Sequence, residues 1–174
     1  MSYTKSNDLP NRTILKDRDA KPLIEELNRI PGLEQLSRKS RVETEMVKSS
    51  EVIFVDGVPV AFRREEQFVP VLTNTSALEK MSRVTVDMGA VPHVVGGADI
   101  MAPGIRKVEG NFKDKDLVVI VDEKHGKFLS VGRSLLTSEA LAGTKKGKVI
   151  LNIHYVGDLV WETIKSQASS HSWS

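Results

Sequence analysis

The 174-residue sequence predicts an α+β protein in two parts, a small mixed α/β half followed by a mostly β half. Three patterns carry this expectation. Leu23, Ile24, Leu27 and Ile30 recur at helical spacing and stop at Pro31-Gly32. Asp56-Gly57 separates two apolar runs, a strong hairpin signal because both turn residues tolerate positive φ. From Val84 onward, short apolar runs alternate with turn residues at a spacing that suits a small barrel or sandwich better than a parallel sheet.

The elements follow in order. The helical spacing predicts a helix over Asp19–Ile30, with Pro22 in its first turn, where a missing N–H is tolerated. Leu33 and Leu36 extend it as a bent helical segment ahead of the charged stretch Arg38–Glu45. Strands are expected at Val52–Val55, Val58–Phe62 and Phe68–Leu72, and Ser76 caps a short helix carrying Ala77, Leu78 and Met81. The change of pattern places a boundary near Arg83. Beyond it, strands are expected at Val84–Met88, Val91–Val95, Leu117–Val121, Lys127–Val131, Val149–Ile153 and, after Gly157-Asp158, at Leu159–Ile164. One helix, Thr137–Ala142, has Thr137 as its cap and Gly143 as its stop. The tail Ser166–Ser174 is polar and serine-rich and is expected to fray.

Composition narrows the chemistry. With 40% hydrophobic and 28% charged residues the chain is ordinary for a globular protein. It has no cysteine, which excludes disulfides, thiolate zinc sites, iron–sulfur clusters and thiol nucleophiles. Its longest apolar run, Leu117–Val121, is far short of the ~20 residues a bilayer span requires. Met1–Asn7 is polar with no apolar segment after it, so no signal peptide is read and a cytoplasmic protein without membrane contact is expected. The 25 basic and 23 acidic residues leave a net charge of +2, so attraction for nucleic acid must come from local clusters.

Catalytic and metal-binding patterns are missing. His93, His125, His154 and His171 show neither i, i+4 spacing nor a partner carboxylate motif, so no metal is expected. Gly-x-Ser-x-Gly is absent, and Ser130-Val131-Gly132-Arg133-Ser134 has no linked base. Asp114 and Asp116 read as a turn before a strand. No catalytic residue and no cofactor are therefore expected. The most unusual stretch is Gly96-Gly97-Ala98-Asp99-Ile100-Met101-Ala102-Pro103-Gly104-Ile105, followed by Arg106 and Lys107. Read as a small helical turn bracketed by glycines, it would present backbone amides that can hold a phosphate, or it is a tight structural turn. Lys145, Lys146 and Lys148 form a basic loop that is either solvated or in contact with phosphate, and Arg133 extends that surface.

Four blocks carry a resemblance: VDMGAVPHVV with GGADIMAPGI at 86–105, DKDLVVIVD at 114–122, LSVGRSLLTSEAL at 129–141 and GKVILNIHYVGDLVW at 147–161. In this order they resemble PUA domains, the RNA-binding module named after pseudouridine synthase and archaeosine transglycosylase. DGVPVAFRRE at 56–65 with FVPVL at 68–72 is similar to the pre-PUA domain of the malignant-T-cell-amplified-sequence family and its archaeal counterparts. The likeness runs from about Leu23 to Trp161. It implies a pre-PUA domain over residues 1–83, a PUA pseudo-barrel over 84–164 and a polar tail over 165–174.

The resemblance also implies a function: a non-catalytic RNA-binding protein acting in translation on ribosomal or transfer RNA, with the small ribosomal subunit and a separate translation-factor protein as partners. The alternative is the RNA-targeting subunit of a split modification enzyme of the transglycosylase or pseudouridine synthase type. The family's RNA surface carries over onto Gly96, Gly97, Ala98, Asp99, Pro103, Gly104 and Ile105 and onto Asn152, His154 and Tyr155. Charge reasoning adds Arg106, Lys107, Arg133, Lys145, Lys146 and Lys148. Met101 and Ile105 are expected in the core, Asp99 as a cap or turn residue, and Gly97 and Gly104 at positions needing positive φ or close backbone approach.

Overall fold

The computed structural model describes residues 11–170, so Met1–Asn7 and His171 lie outside the described residues. The first half contains β1 (Thr13–Ile14), α1 (Asp17–Leu27), β2 (Val42–Val47), β3 (Ser50–Val55), β4 (Val58–Arg64), β5 (Gln67–Pro70) and α2 (Thr75–Glu79). Its strands form one antiparallel sheet in chain order. Asp56 and Gly57 both take positive φ, 50° and 82°, and close the β3–β4 hairpin as their sequence predicts. β2 lies in the segment read as charged: Val42 and Thr44 point inward while Glu43 and Glu45 alternate outward. Leu33 and Leu36 fall in turns rather than a bent helix, and the Asn28 side chain pins that loop through both the N–H and the carbonyl of Leu36. The cap of α2 is Asn74, whose side chain accepts from the Ala77 N–H, and not Ser76.

The second half contains β6 (Arg83–Val86), α3 (Val91–Val94), β7 (Ile100–Met101), a 3₁₀ turn (Ala102–Gly104), β8 (Ile105–Glu109), β9 (Leu117–Asp122), β10 (Phe128–Ser134), α4 (Ser138–Gly143), β11 (Lys148–Tyr155) and α5 (Leu159–Ser170). Strand order is β7-β11-β10-β9-β6-β8, with β6 and β9 parallel. β7 and β8 are opposite edges, yet only the 3₁₀ turn joins them. Four residue steps reach at most about 14 Å, whereas five gaps of a flat sheet would need about 24 Å. The sheet must therefore curl until its edges meet, which makes a pseudo-barrel with the glycine segment at the seam.

Three apolar layers stack through the molecule. One lies between α1 and the first sheet, with Ile24, Leu27, Ile53 and Val55. A second lies between the two sheets and joins Val52, Phe54, Phe62 and Leu78 to Val119, Val131, Val160 and Ile164. The third fills the barrel with Val84, Val118, Ile120, Leu129 and Ile150. Alternate residues of β9 enter different layers, so this strand is buried on both faces and reads as an unbroken apolar run.

Two expected strands are helices. Val91–Val94 forms α3 because Pro92 suits a first helical turn and Asp87 accepts from the Ala90 N–H just ahead of it. Leu159–Ile164 belongs to α5, where Asp158 accepts from the Trp161 N–H and Val160 and Ile164 recur at helical spacing. The helix runs on through Ser170, into the segment expected to fray. The glycine segment is itself no helix but a turn, a two-residue strand and a 3₁₀ turn. β8, which follows it, carries Arg106 and Lys107. Met101 is exposed and is no core residue, whereas Ile105 is half-buried and packs against the barrel core.

Candidate nucleic-acid interface

The seam of the barrel positions the site. α3 ends at Val94, and Val95, Gly96, Gly97 and Ala98 turn the chain toward β7. Gly97 has φ +92°, and a Cβ on it would lie 2.9 Å from Cζ and Oη of Tyr155, so the turn rests directly on that ring. Two reciprocal contacts fasten the turn to β11. Asp99 Oδ1 accepts from the Asn152 backbone N–H at 2.9 Å, and the Asn152 side-chain amide donates to the carbonyls of Val94 and Ala98. The Asn152 N–H holds the Asp99 carboxyl below its ordinary value against partial burial, with the Lys148 ammonium 3.0 Å away adding to the effect.

These contacts leave one wall of the turn facing a groove of about 440 Å³, lined by Ala90, His93, Ala98, Ile100, Met101 and Pro103 among others. Gly104 closes it. Its φ is not positive, and its constraint is space: a Cβ there would meet Ala90 Cβ at 3.2 Å. The groove is mostly apolar, and the N–H groups of Gly96, Gly97 and Ala98 are spent on the carbonyls of Pro92, Val94 and His93, so the turn does not present the free amides its sequence suggested and suits shape contacts more than amide-to-phosphate bonds.

The residues expected at an RNA surface scatter, with Ile105 turned toward the barrel core. Gly96, Gly97, Ala98, Asp99, Pro103, Gly104, Asn152 and Tyr155 come together at the groove or beneath it, and Lys148 joins them through Asp99. Arg106 and Lys107 stand on β8, which leaves the groove after Gly104, and face acids, Arg106 beside Asp87 of the groove lining and Glu123, and Lys107 beside Glu109. Lys145 and Lys146 are exposed in the loop before β11. Arg133 does not extend that loop's basic surface, because its guanidinium reaches back to Gln67 of the first half.

His154 is a correction. It is 0% exposed, its Nε2 accepts from the Leu72 N–H at 3.1 Å, and its Nδ1 lies 2.7 Å from Asp158 Oδ2. This fixes a neutral ring that donates through Nδ1, locked between the two halves and out of reach of any RNA. Burial raises the Asp158 pKa, but the hydrogen bond from His154 and the N–H groups of Trp161 and Tyr155 outweigh it and hold the carboxyl below its ordinary value. His93, Met101 and Ala90 line the groove and were not expected there. Pro92 inside an apolar run was the signal that α3 is a helix, and it would have pointed to Ala90 and His93 but not to Met101, which lies in β7. Among the described residues no three His, Asp or Glu gather as for a metal ion, and no helix is long and apolar enough to cross a membrane.

A curled six-stranded sheet with a glycine turn at its seam, preceded by a five-stranded sheet packed on its wall, defines a two-domain PUA protein. Residues 82–156 match the PUA domain, and residues 11–75 match a domain of unknown function, DUF1947. The chain belongs to the malignant T-cell-amplified sequence and translation machinery-associated protein 20 family, with its archaeal PUA members. It is 35% identical over 157 residues to an uncharacterized protein of Methanocaldococcus jannaschii, covering 88% of this chain and 97% of that one. It is 30% identical to malignant T-cell-amplified sequence 1 of Rattus norvegicus (78% and 80% covered) and 29% identical to translation machinery-associated protein 20 of Saccharomyces cerevisiae (74% and 75% covered). The crystal structure of a hypothetical protein from Pyrococcus horikoshii superposes with a TM-score of 0.74 at 32% identity, covering 88% of this chain and 99% of that one.

Proposed function

We propose that this chain binds structured RNA of the translation apparatus, ribosomal or transfer RNA, in the groove at the barrel seam, and performs no chemistry on it. The observation that carries this reading is the glycine turn, held on Tyr155 and latched by Asn152 and Asp99 so that its backbone borders an open groove. A turn of small residues held in place can let a phosphodiester strand approach closely without first being ordered. Lys145 and Lys146 add charge from the neighbouring loop. The relatives' names, which include association with the translation machinery, support the setting, and we take the small ribosomal subunit and a separate translation factor, in the cytoplasm, as the partners to test. We also take residues 1–83 and 84–164 as the two domains, supported by the separation of the two sheets between α2 and β6.

Crosslinking in cells followed by sequencing of bound RNA tests this. Enrichment of ribosomal or transfer RNA together with small-subunit proteins is the expected result. Recovery of a transglycosylase or pseudouridine synthase instead would replace it with the targeting-subunit reading.

A further inference from the structure

Tyr155 faces two ways. Its ring lies under Gly97, and it also lines a second cleft of about 210 Å³ between the halves, together with Lys48, Ser49, Ser50 and Arg64. Arg64 is half-buried there. Its Nε donates to Ser50 Oγ and one terminal nitrogen donates to the Ile153 carbonyl, both at 2.9 Å, while the guanidinium carbon sits 4.9 Å from the centre of the Phe62 ring. These contacts fix the fork, yet no carboxylate pairs with it among the described residues, and its second terminal nitrogen has no acceptor. A partly desolvated cation with rigid geometry and an unused edge is suited to an oxyanion. Lys48 stands at the tip of the β2–β3 turn, exposed and without an ion pair among the described residues. Asp158 also lines the cleft, but its oxygens accept from His154, Tyr155 and Trp161. Glu65 and Glu66, next in the chain after Arg64, do not line it.

We infer that this cleft is a second phosphate-binding subsite, on the first half of the chain, and that RNA seated at the glycine turn continues across Tyr155 to place a neighbouring phosphate on Arg64 and Lys48. The inference rests on the groove being an RNA site and extends it over the junction. It gives the first half a direct part in RNA binding, with the β2–β3 turn as the contact.

The test is the salt dependence of binding to a fluorescein-labelled RNA hairpin with a single-stranded 3′ extension, followed by anisotropy across a KCl series. Lys48→Asn is the clean perturbation, because Lys48 has φ 53° and asparagine tolerates that conformation. Each lost phosphate contact should lower the log–log slope by about 0.7–0.9. Lys48→Asn and Arg64→Gln should each do so, both together by about 1.4–1.8, while Lys21→Gln on α1 leaves the slope unchanged. Should Arg64→Gln fail to fold, Lys48→Asn decides alone. A wild-type slope in folded Lys48→Asn, with affinity lost in Gly97→Ala, overturns the subsite and leaves the groove standing. Wild-type affinity in Gly97→Ala as well overturns the groove and the subsite together.

Discussion

Replacing Gly97 with alanine should cost stability through two separable causes. The first is backbone: at φ +92° a Cβ meets its own carbonyl, which costs about 1–2 kcal/mol. The second is the Tyr155 ring, whose Cζ and Oη would lie 2.9 Å from the new methyl. Those atoms are at the far end of a side chain that can tilt, so this part should fall at the low end of the overpacking range, about 1 kcal/mol. Gly97→Ala should therefore lose about 2–3 kcal/mol in wild type but only the backbone part in Tyr155→Leu, a coupling of about 1 kcal/mol. Urea unfolding of the four proteins measures it. The tilted ring also deforms the groove, so folded Gly97→Ala should bind RNA several-fold more weakly. An equal loss in both backgrounds would show that the ring does not constrain the turn.

Four other outcomes are expected. His154→Ala orphans the buried Leu72 N–H and opens a cavity, which should cost about 2–4 kcal/mol in a urea melt. Asp99 and Asp158 both sit below their ordinary value of 3.8 in the folded protein. Their contribution is thus present above that pH and lost as pH falls through the depressed values, so a stability profile should hold to about pH 4 and drop below it, less steeply in Asp99→Asn. Lys145→Ala with Lys146→Ala should flatten the salt slope by about 1.4–1.8, and Arg106→Ala with Lys107→Ala by less, because those cations already face Asp87, Glu123 and Glu109. A fragment of residues 84–174 would expose Val119, Val131, Val160 and Ile164, each contributing up to about 1.5–3 kcal/mol by burial. By thermal melt it should be far less stable than the whole chain.

Local chemistry was legible in the sequence where it acts through a few adjacent residues. Asp56-Gly57 announced its hairpin, and Thr137 announced α4, where its side chain accepts from the Ala140 N–H. What was hidden depends on partners distant in the chain. Leu159–Ile164 has apolar residues at 159, 160, 161 and 164, which fits a strand or a helix until Asp158 is seen as its cap. The glycine turn was found by its composition, but nothing local says that Asn152 holds it from 53 residues away through the Asp99 carboxylate. His154 shows the same limit. A histidine at a surface-like position of a strand becomes a buried lock only because Leu72, 82 residues earlier, brings it an N–H.

The double burial of β9 bears on how the two halves act. Val118 and Ile120 fill the barrel while Val119 packs on the first sheet, so one strand belongs to both cores. A rotation of one half against the other would have to separate Val119 and Val131 from Phe54 and Phe62, and would break the bond from the Leu72 N–H to His154 and the bond from Arg64 to the Ile153 carbonyl. Protein interiors resist such sliding because packed layers have few alternative arrangements. The glycine turn and the β2–β3 turn are therefore held at one fixed separation, bridged by Tyr155. If RNA seats as proposed, one touching both turns would meet a preformed surface rather than one it must order.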